Sequence, residues 1–190
     1  MPLLALIALF VALGGNFLHA APDTALTAAA LEKTALTVQI STKLNRSHLI
    51  PAPQAFLLPC LGRTEVDMQA SGPQSVTVED SMSMVHRSQG VLAPASPHLR
   101  SEVAIVCGIA HATLGPGLDW EGMAADYSRI RGHISRVVVG CEDYEAKVDR
   151  PGGFVLPHKP RDSREFPTSS GRAELAVEQA KTAGRGGAAA

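Results

Sequence analysis

A chain of 190 residues can form one domain, or one domain with a tail, and a chain of this size buries roughly 70% of its unfolded surface. Hydrophobic residues make up 45% of it, and 17 basic against 18 acidic side chains leave a formal charge of −1, which gives no global steering toward nucleic acid or another polyanion. Aromatic content is only 4%, so the apolar mass is Ala, Val, Leu and Ile, which suits α/β layers better than a β-sandwich.

The run Leu3 to Leu13 (LLALIALFVAL), with Gly14-Gly15-Asn16 after it, reads as a fully buried parallel strand closed by a turn. A secretory reading, with cleavage near His19-Ala20-Ala21, lacks the positive charge such a leader carries, since no Lys or Arg precedes Lys33. The run is also shorter than the ~20 residues of a membrane span. Thr24 or Thr27 can cap an Ala-rich helix through Lys33, and Leu36 to Ile40 follows as a strand. Strand, helix and strand in this order predict a βαβ unit with parallel strands, whose two exit loops, Gly14 to Phe17 and Ser41 to His48, share one edge.

Ala55 to Leu58 reads as a third strand and Ser75 to Val78 as a fourth, half-buried one. Ser81 to Pro97 has no regular period and reads as an ordered surface loop. Ser101 caps a helix through Leu114, which Gly115-Pro116-Gly117 ends. From Asp119 a single amphipathic helix is expected, with Trp120, Met123, Tyr127, Ile130, Ile134 and Val137 on its apolar stripe. Cys141 to Val148 reads as a short helix, and Phe154 to Leu156 and Glu165-Phe166 as short extended pieces. Beyond about Leu175 the composition turns to Ala, Gly, Lys and Arg, which predicts a disordered tail. Cys60, Cys107 and Cys141 are odd in number and far apart, with no C-x-x-C pair, and read as free thiols in the cytoplasm.

The stretch from Lys43 to Arg100 carries polar groups too densely for ordinary connecting loops, and it lies just past expected strand ends, where open α/β sheets bind ligands. Gly14 and Gly15 allow close approach of a pyrophosphate, or make a simple tight turn. Asn16 holds that turn or contacts a ligand. Ser41, Thr42, Lys43, Asn45, Arg46, Ser47 and His48 offer hydroxyls, an amide and two cations, the cations serving either phosphate or solvent. Arg63, Thr64, Glu65 and Asp67 suit an Arg–carboxylate lattice that positions a loop. Glu79 and Asp80 suit capping or loop bonding. Asp80, Ser83 and His86 do not make a hydrolytic triad, since three residues of one loop do not reach its geometry and no G-x-S-x-G elbow is present. His86, His98 and His111 have no metal-ligand spacing, so neither a catalytic residue nor a metal ligand is assigned.

Gly14-Gly15-Asn16-Phe17, STKLNRSH (Ser41 to His48), LPCLGRTEVD (Leu58 to Asp67) and VTVEDSMSMVH (Val76 to His86) together resemble the molybdopterin-dependent oxidoreductases, in particular the formate dehydrogenase-like alpha subunits. The resemblance runs from about Leu9 to Leu175 and includes PASPHLRSE (Pro94 to Glu102) and Pro151-Gly152-Gly153-Phe154. It implies a fragment of a larger enzyme with a molybdenum bis-molybdopterin guanine dinucleotide cofactor. Gly14 to Phe17, Ser41 to Lys43, Asn45 to His48 and Glu65 would be the cofactor-binding residues. An iron–sulfur cluster and the metal-proximal groups would belong to parts of the larger protein and not to this chain. It implies a small-molecule substrate, with formate the best-known, an electron-transfer partner of unspecified kind, and no nucleic-acid or membrane partner.

The expected architecture is α/β. A partial, doubly wound parallel sheet forms a dinucleotide-binding layer over residues 1–115, and 116–150 add a helical segment. Residues 151–175 would be a connector and 176–190 a disordered tail. Two other readings stand beside it: a non-catalytic nucleotide- or partner-binding module, and a small exported protein.

Overall fold

The computed structural model describes residues 8–50 and 52–175. The chain divides into two units at Val155 and Leu156, and each is described by itself. The expected tail over 176–190 and the first half of the apolar run, through Ile7, lie outside the described residues.

The larger unit is α/β, built on a three-stranded parallel sheet in the order β1-β2-β3, with β1 at Leu9–Leu13, β2 at Leu36–Ser41 and β3 at Gln54–Pro59. Val11, Val38 and Phe56 stand in register across it. A one-turn helix α1 (Phe17–Ala20) and α2 (Thr24–Glu32) connect β1 to β2. Asp23, not Thr24 or Thr27, caps α2, its carboxylate accepting the Leu26 amide. A single 3₁₀ turn, Arg46–Leu49, leads to β3.

The strand expected to be buried is half open to solvent. Leu9, Val11 and Leu13 are about half exposed because β1 stands at the edge of the described sheet, while Ile40, on the same face of the central strand β2, is 1% exposed. Gln39, on the opposite face, donates from Nε2 to the Ser47 carbonyl, and the Leu18 amide donates to Ser47 Oγ.

After β3 the chain makes the small hairpin β4 (Met68–Gln69) and β5 (Gly72–Pro73), then a second sheet, β6-β7-β8, at Val76–Glu79, Met84–Ser88 and Phe154–Val155. The expected fourth strand thus exists but pairs antiparallel in this separate sheet. The loop expected from Ser81 onward is also corrected, since its first part is the return strand β7. Asp80 makes the reversal: its Oδ1 accepts the Met82 and Met84 amides while Ser83 adopts φ 61°. So short a connection joins antiparallel strands only.

Helix α3 (Glu102–Leu114) begins at Ser101, whose Oγ accepts the Ala104 amide, as the sequence predicts. The single helix expected from Asp119 is two helices, α4 (Trp120–Ala125) and α5 (Tyr127–Val137). Asp126 breaks it, with φ −149° and ψ 108°, and caps α5 by accepting the Ser128 amide. The Tyr127 amide, freed by the break, donates to Gln74 Oε1. The new phase turns Arg131 inward and leaves Val137 78% exposed. Helix α6 is shorter than expected, Tyr144–Val148. Tyr144 packs edge-on against Phe154 at 5.3 Å and donates to Thr77 Oγ1, joining α6 to the second sheet.

In the smaller unit α7 (Lys159–Asp162) is capped by His158, whose Nδ1 accepts the Arg161 amide. Glu165-Phe166, expected to be extended, belongs to no strand.

Candidate functional site

The turns leaving β1 and β2 meet at the carboxyl-terminal edge of the parallel sheet. Gly14 and Gly15 have φ of 62° and 71°, a conformation that costs a residue with a Cβ about 1–2 kcal/mol. The Gly14 amide donates to the Ile40 carbonyl, tying the turn to the end of β2. Asn45 Nδ2 donates to the Gly15 carbonyl at 2.7 Å, and Ser47 Oγ donates to Asn16 Oδ1 at 2.9 Å. The Asn45 amide donates to His48 Nδ1, and Asn45 Oδ1 accepts the Ser47 amide.

This lattice sorts the expected site residues. Asn16 Oδ1, both side-chain ends of Asn45, Ser47 Oγ and His48 Nδ1 hold the two turns together, while Asn16 Nδ2 and His48 Nε2 make no hydrogen bond among the described residues. Ser41 Oγ donates to the Lys43 carbonyl and shapes the exit of β2. Phe17 tilts against Phe10, ring centroids 4.9 Å apart. Thr42, Lys43 and Arg46 stand exposed, and neither cation is in an ion pair among the described residues. The Gly15 amide makes no hydrogen bond among the described residues, and no atom lies within 4 Å of the place a Cβ would take there. Two cations, the Gly15 amide, Asn16 Nδ2 and His48 Nε2 therefore remain for a ligand.

Next to Thr42 a cleft of about 270 Å³ opens past the ends of β2 and β3, lined among others by Arg63, Glu65, Asp67 and Glu102. The expected Arg–carboxylate lattice is absent among the described residues. Glu65 instead accepts the backbone amides of Gly62 and Ala95, and these bonds hold its carboxyl below the usual carboxylate range. Asp67 accepts from the Tyr127 hydroxyl, which also meets Ser101 Oγ at 2.6 Å. Burial first, and the Asp67 hydrogen bond second, push that phenol up. Glu102 is the cleft residue that sequence reasoning missed; its Oε1 comes within 3.7 Å of a Cβ built on Gly14. A Glu in the first turn of a helix reads as a dipole partner, so Glu102, although it ends the PASPHLRSE run, drew no site reading of its own.

All three cysteines are free and buried. Burial, with Glu102 and Glu65 adding to it, lifts the Cys60 thiol to about 11, so it is no nucleophile at neutral pH.

Ser47→Ala removes the acceptor of the Leu18 amide and the donor to Asn16 in one step. Ser47 is 3% exposed, so about 1–3 kcal/mol of stability should be lost in urea unfolding; a loss under about 0.5 kcal/mol would show that the lattice is not needed to hold the turns.

No family model matches the chain. Over 173 residues, 90% of its length, it is 56% identical to an uncharacterized oxidoreductase of Mycobacterium tuberculosis and equally to one of Mycobacterium bovis. It is similar to one segment of larger proteins. Over 166 residues it is 49% identical to Protein YdeP of Escherichia coli O6:H1. The chain spans about a fifth, 22%, of the length of each of these relatives. Among the described residues no helix is long and apolar enough to cross a membrane.

Proposed function

We propose that this chain is part of a molybdenum-dependent oxidoreductase resembling formate dehydrogenase, and that its two linked turns hold part of a molybdopterin guanine dinucleotide. The observation that carries the reading is the junction of those turns, where Asn45 is bonded to Gly15 and Ser47 to Asn16, at the strand ends where open α/β sheets take nucleotides. The similarity to larger mycobacterial proteins named as oxidoreductases supports it from a separate direction.

The residues fit a dinucleotide phosphate. Gly14 and Gly15 let the ligand approach the backbone, Lys43 supplies a point charge, and Arg46 a bidentate fork. Asn16, Asn45, Ser47 and His48 fix the positions of these groups, and Asn16 Nδ2 and His48 Nε2 stay available to the ligand. Glu65 orders the wall of the neighbouring cleft. When bound, the cofactor supplies the two-electron redox chemistry, and the protein positions it. Formate is the substrate that the family resemblance suggests, and the cytoplasm the compartment that its free thiols suit.

Because the chain offers one side of a cleft, its affinity for guanosine diphosphate should be weak, with saturation above about 1 mM. Titration followed by NMR should shift the amides of 14–17 and 41–48. Shifts confined to other residues, or none at about 10 mM, would refute the reading. Micromolar binding would favour a self-sufficient nucleotide-binding module instead.

A further inference from the structure

Parallel sheets in α/β proteins are covered on both faces, whereas among the described residues one face of this sheet is enclosed at Ile40, 1% exposed, and open around it. Phe10, Ala12, Thr37, Gln39 and Leu57 share the face that carries Ser47 and Leu18, where Thr37 and Gln39 are buried and Leu57, on the outer strand, is 46% exposed. On the other face Leu9 is 54%, Val11 45%, Leu13 50% and Phe56 57% exposed. The register sets Val11, Val38 and Phe56 side by side, which at about 4.8 Å per strand makes an apolar band about 10 Å wide, the diameter of one helix.

Helix α3 stands at the margin of this band, where Leu58, Ile105 and Ile109 line an open cleft of about 460 Å³. Its sequence, EVAIVCGIAHATL, is apolar nearly all round, the composition of a helix enclosed by other elements. Yet Val106 and Ile109 are 44% and 37% exposed. Leu58 belongs both to this face of the sheet and to the cleft beside α3, so the open band and the helix flank adjoin at β3 as a trough.

We infer that this trough seats an amphipathic α-helix supplied by the part of the larger protein that lies outside this chain. The inference rests on the reading of the chain as one segment of such a protein, but not on which cofactor that protein carries. The relatives hold the same segment, 22% of their length, within a single longer polypeptide, so a covalently attached neighbour is the partner at hand. The connections between β1, β2 and β3 lie on the opposite face, so a helix on this face completes the second layer of a doubly wound sheet.

The test is accessibility of a cysteine placed in the trough. Phe56→Cys introduces a thiol at an exposed position, while the native Cys60, Cys107 and Cys141 are buried. Maleimide labelling is measured in the chain alone and in the Mycobacterium tuberculosis relative carrying this chain in place of its matching segment. Labelling should be at least about 100-fold slower in the whole protein. Should the hybrid fail to fold, Cys at the position aligned with Phe56 in the intact relative, read by peptide mass spectrometry against its isolated segment, gives the same comparison. Equal rates would overturn the inference, and so would protection in the isolated chain that grows with its concentration, since a second copy would then fill the trough. Molybdenum content plays no part in this readout, so a wrong cofactor would leave it unchanged.

Discussion

Arg131→Leu should cost about 3 kcal/mol of unfolding free energy, the low end of the range for breaking a buried ion pair. Arg131 is 7% exposed and donates from Nε and Nη2 to Glu145 and from Nη1 to the Ser75 carbonyl. One guanidinium thus joins α5, α6 and the entry to β6. The low end applies because Glu145 keeps Arg87, and its side chain is 42% exposed to water. Denaturant unfolding checks the loss, and a change below about 1 kcal/mol would show that the pair is dispensable.

The same pair makes an acid signature. Hydrogen bonds from Arg131, then Arg87, outweigh burial and hold the Glu145 carboxyl near a pKa of about 2, against 4.5 for a free one. A depressed folded-state pKa contributes stability above the unfolded value and loses it as pH falls from about 4.5 toward 2. Stability should therefore decline through that window, less steeply in high salt because Glu145 is partly exposed. In Arg131→Leu the decline should be shallower. An identical slope in both proteins would contradict the assignment.

Gly90→Ala should destabilise the chain by about 3 kcal/mol, the upper end of overpacking. A Cβ at Gly90 would lie 1.9 Å from the Glu65 carbonyl oxygen and 2.3 Å from its carbon, and the obstacle is backbone that no rotamer change removes. Relief requires the strap at Val91 and Leu92 to move away from the turn at Thr64 to Val66, breaking the hydrogen bonds between them. That turn forms a wall of the cleft beside Thr42, so the cleft widens as stability falls. Gly15→Ala provides the contrast. Its φ is 71° but its surroundings are open, so only the conformational cost of about 1–2 kcal/mol applies. Equal losses at the two positions would show that close packing at Gly90 is not the cause.

The sheet was legible because β2 sets Leu36, Val38 and Ile40 at alternate positions and β3 is an apolar run closed by Pro59, and the cap at Ser101 because its hydroxyl precedes an apolar run. Three features were hidden by equally local causes. The stripe from Trp120 to Val137 keeps helical spacing straight across Asp126, so the break, whose freed Tyr127 amide is taken up by Gln74 from the distant link between β5 and β6, left no mark in the periodicity. Strand β7 was hidden by its polar residues, His86, Arg87 and Ser88, and by a turn that Asp80 builds through its side chain. The exposure of β1 is an outcome of what covers the sheet, and a strand's own sequence does not state that. At the site, the approach of the two turns follows from parallel connectivity. Which polar groups hold the scaffold and which stay free follows from hydrogen bonds between Gly15 and Asn45 and between Asn16 and Ser47, pairs some thirty residues apart.

The two turns, as proposed, hold guanine dinucleotide phosphate for a molybdenum enzyme. The most direct test of this claim is the molybdenum and guanine nucleotide content of the Mycobacterium tuberculosis relative carrying this chain in place of its matching segment. With the wild-type turns, about one molybdenum and two guanine nucleotides per protein are expected, and Lys43→Gln with Arg46→Gln should lower both at least about tenfold while the protein stays folded. A folded protein without molybdenum, or one whose content ignores the double substitution, would contradict the claim.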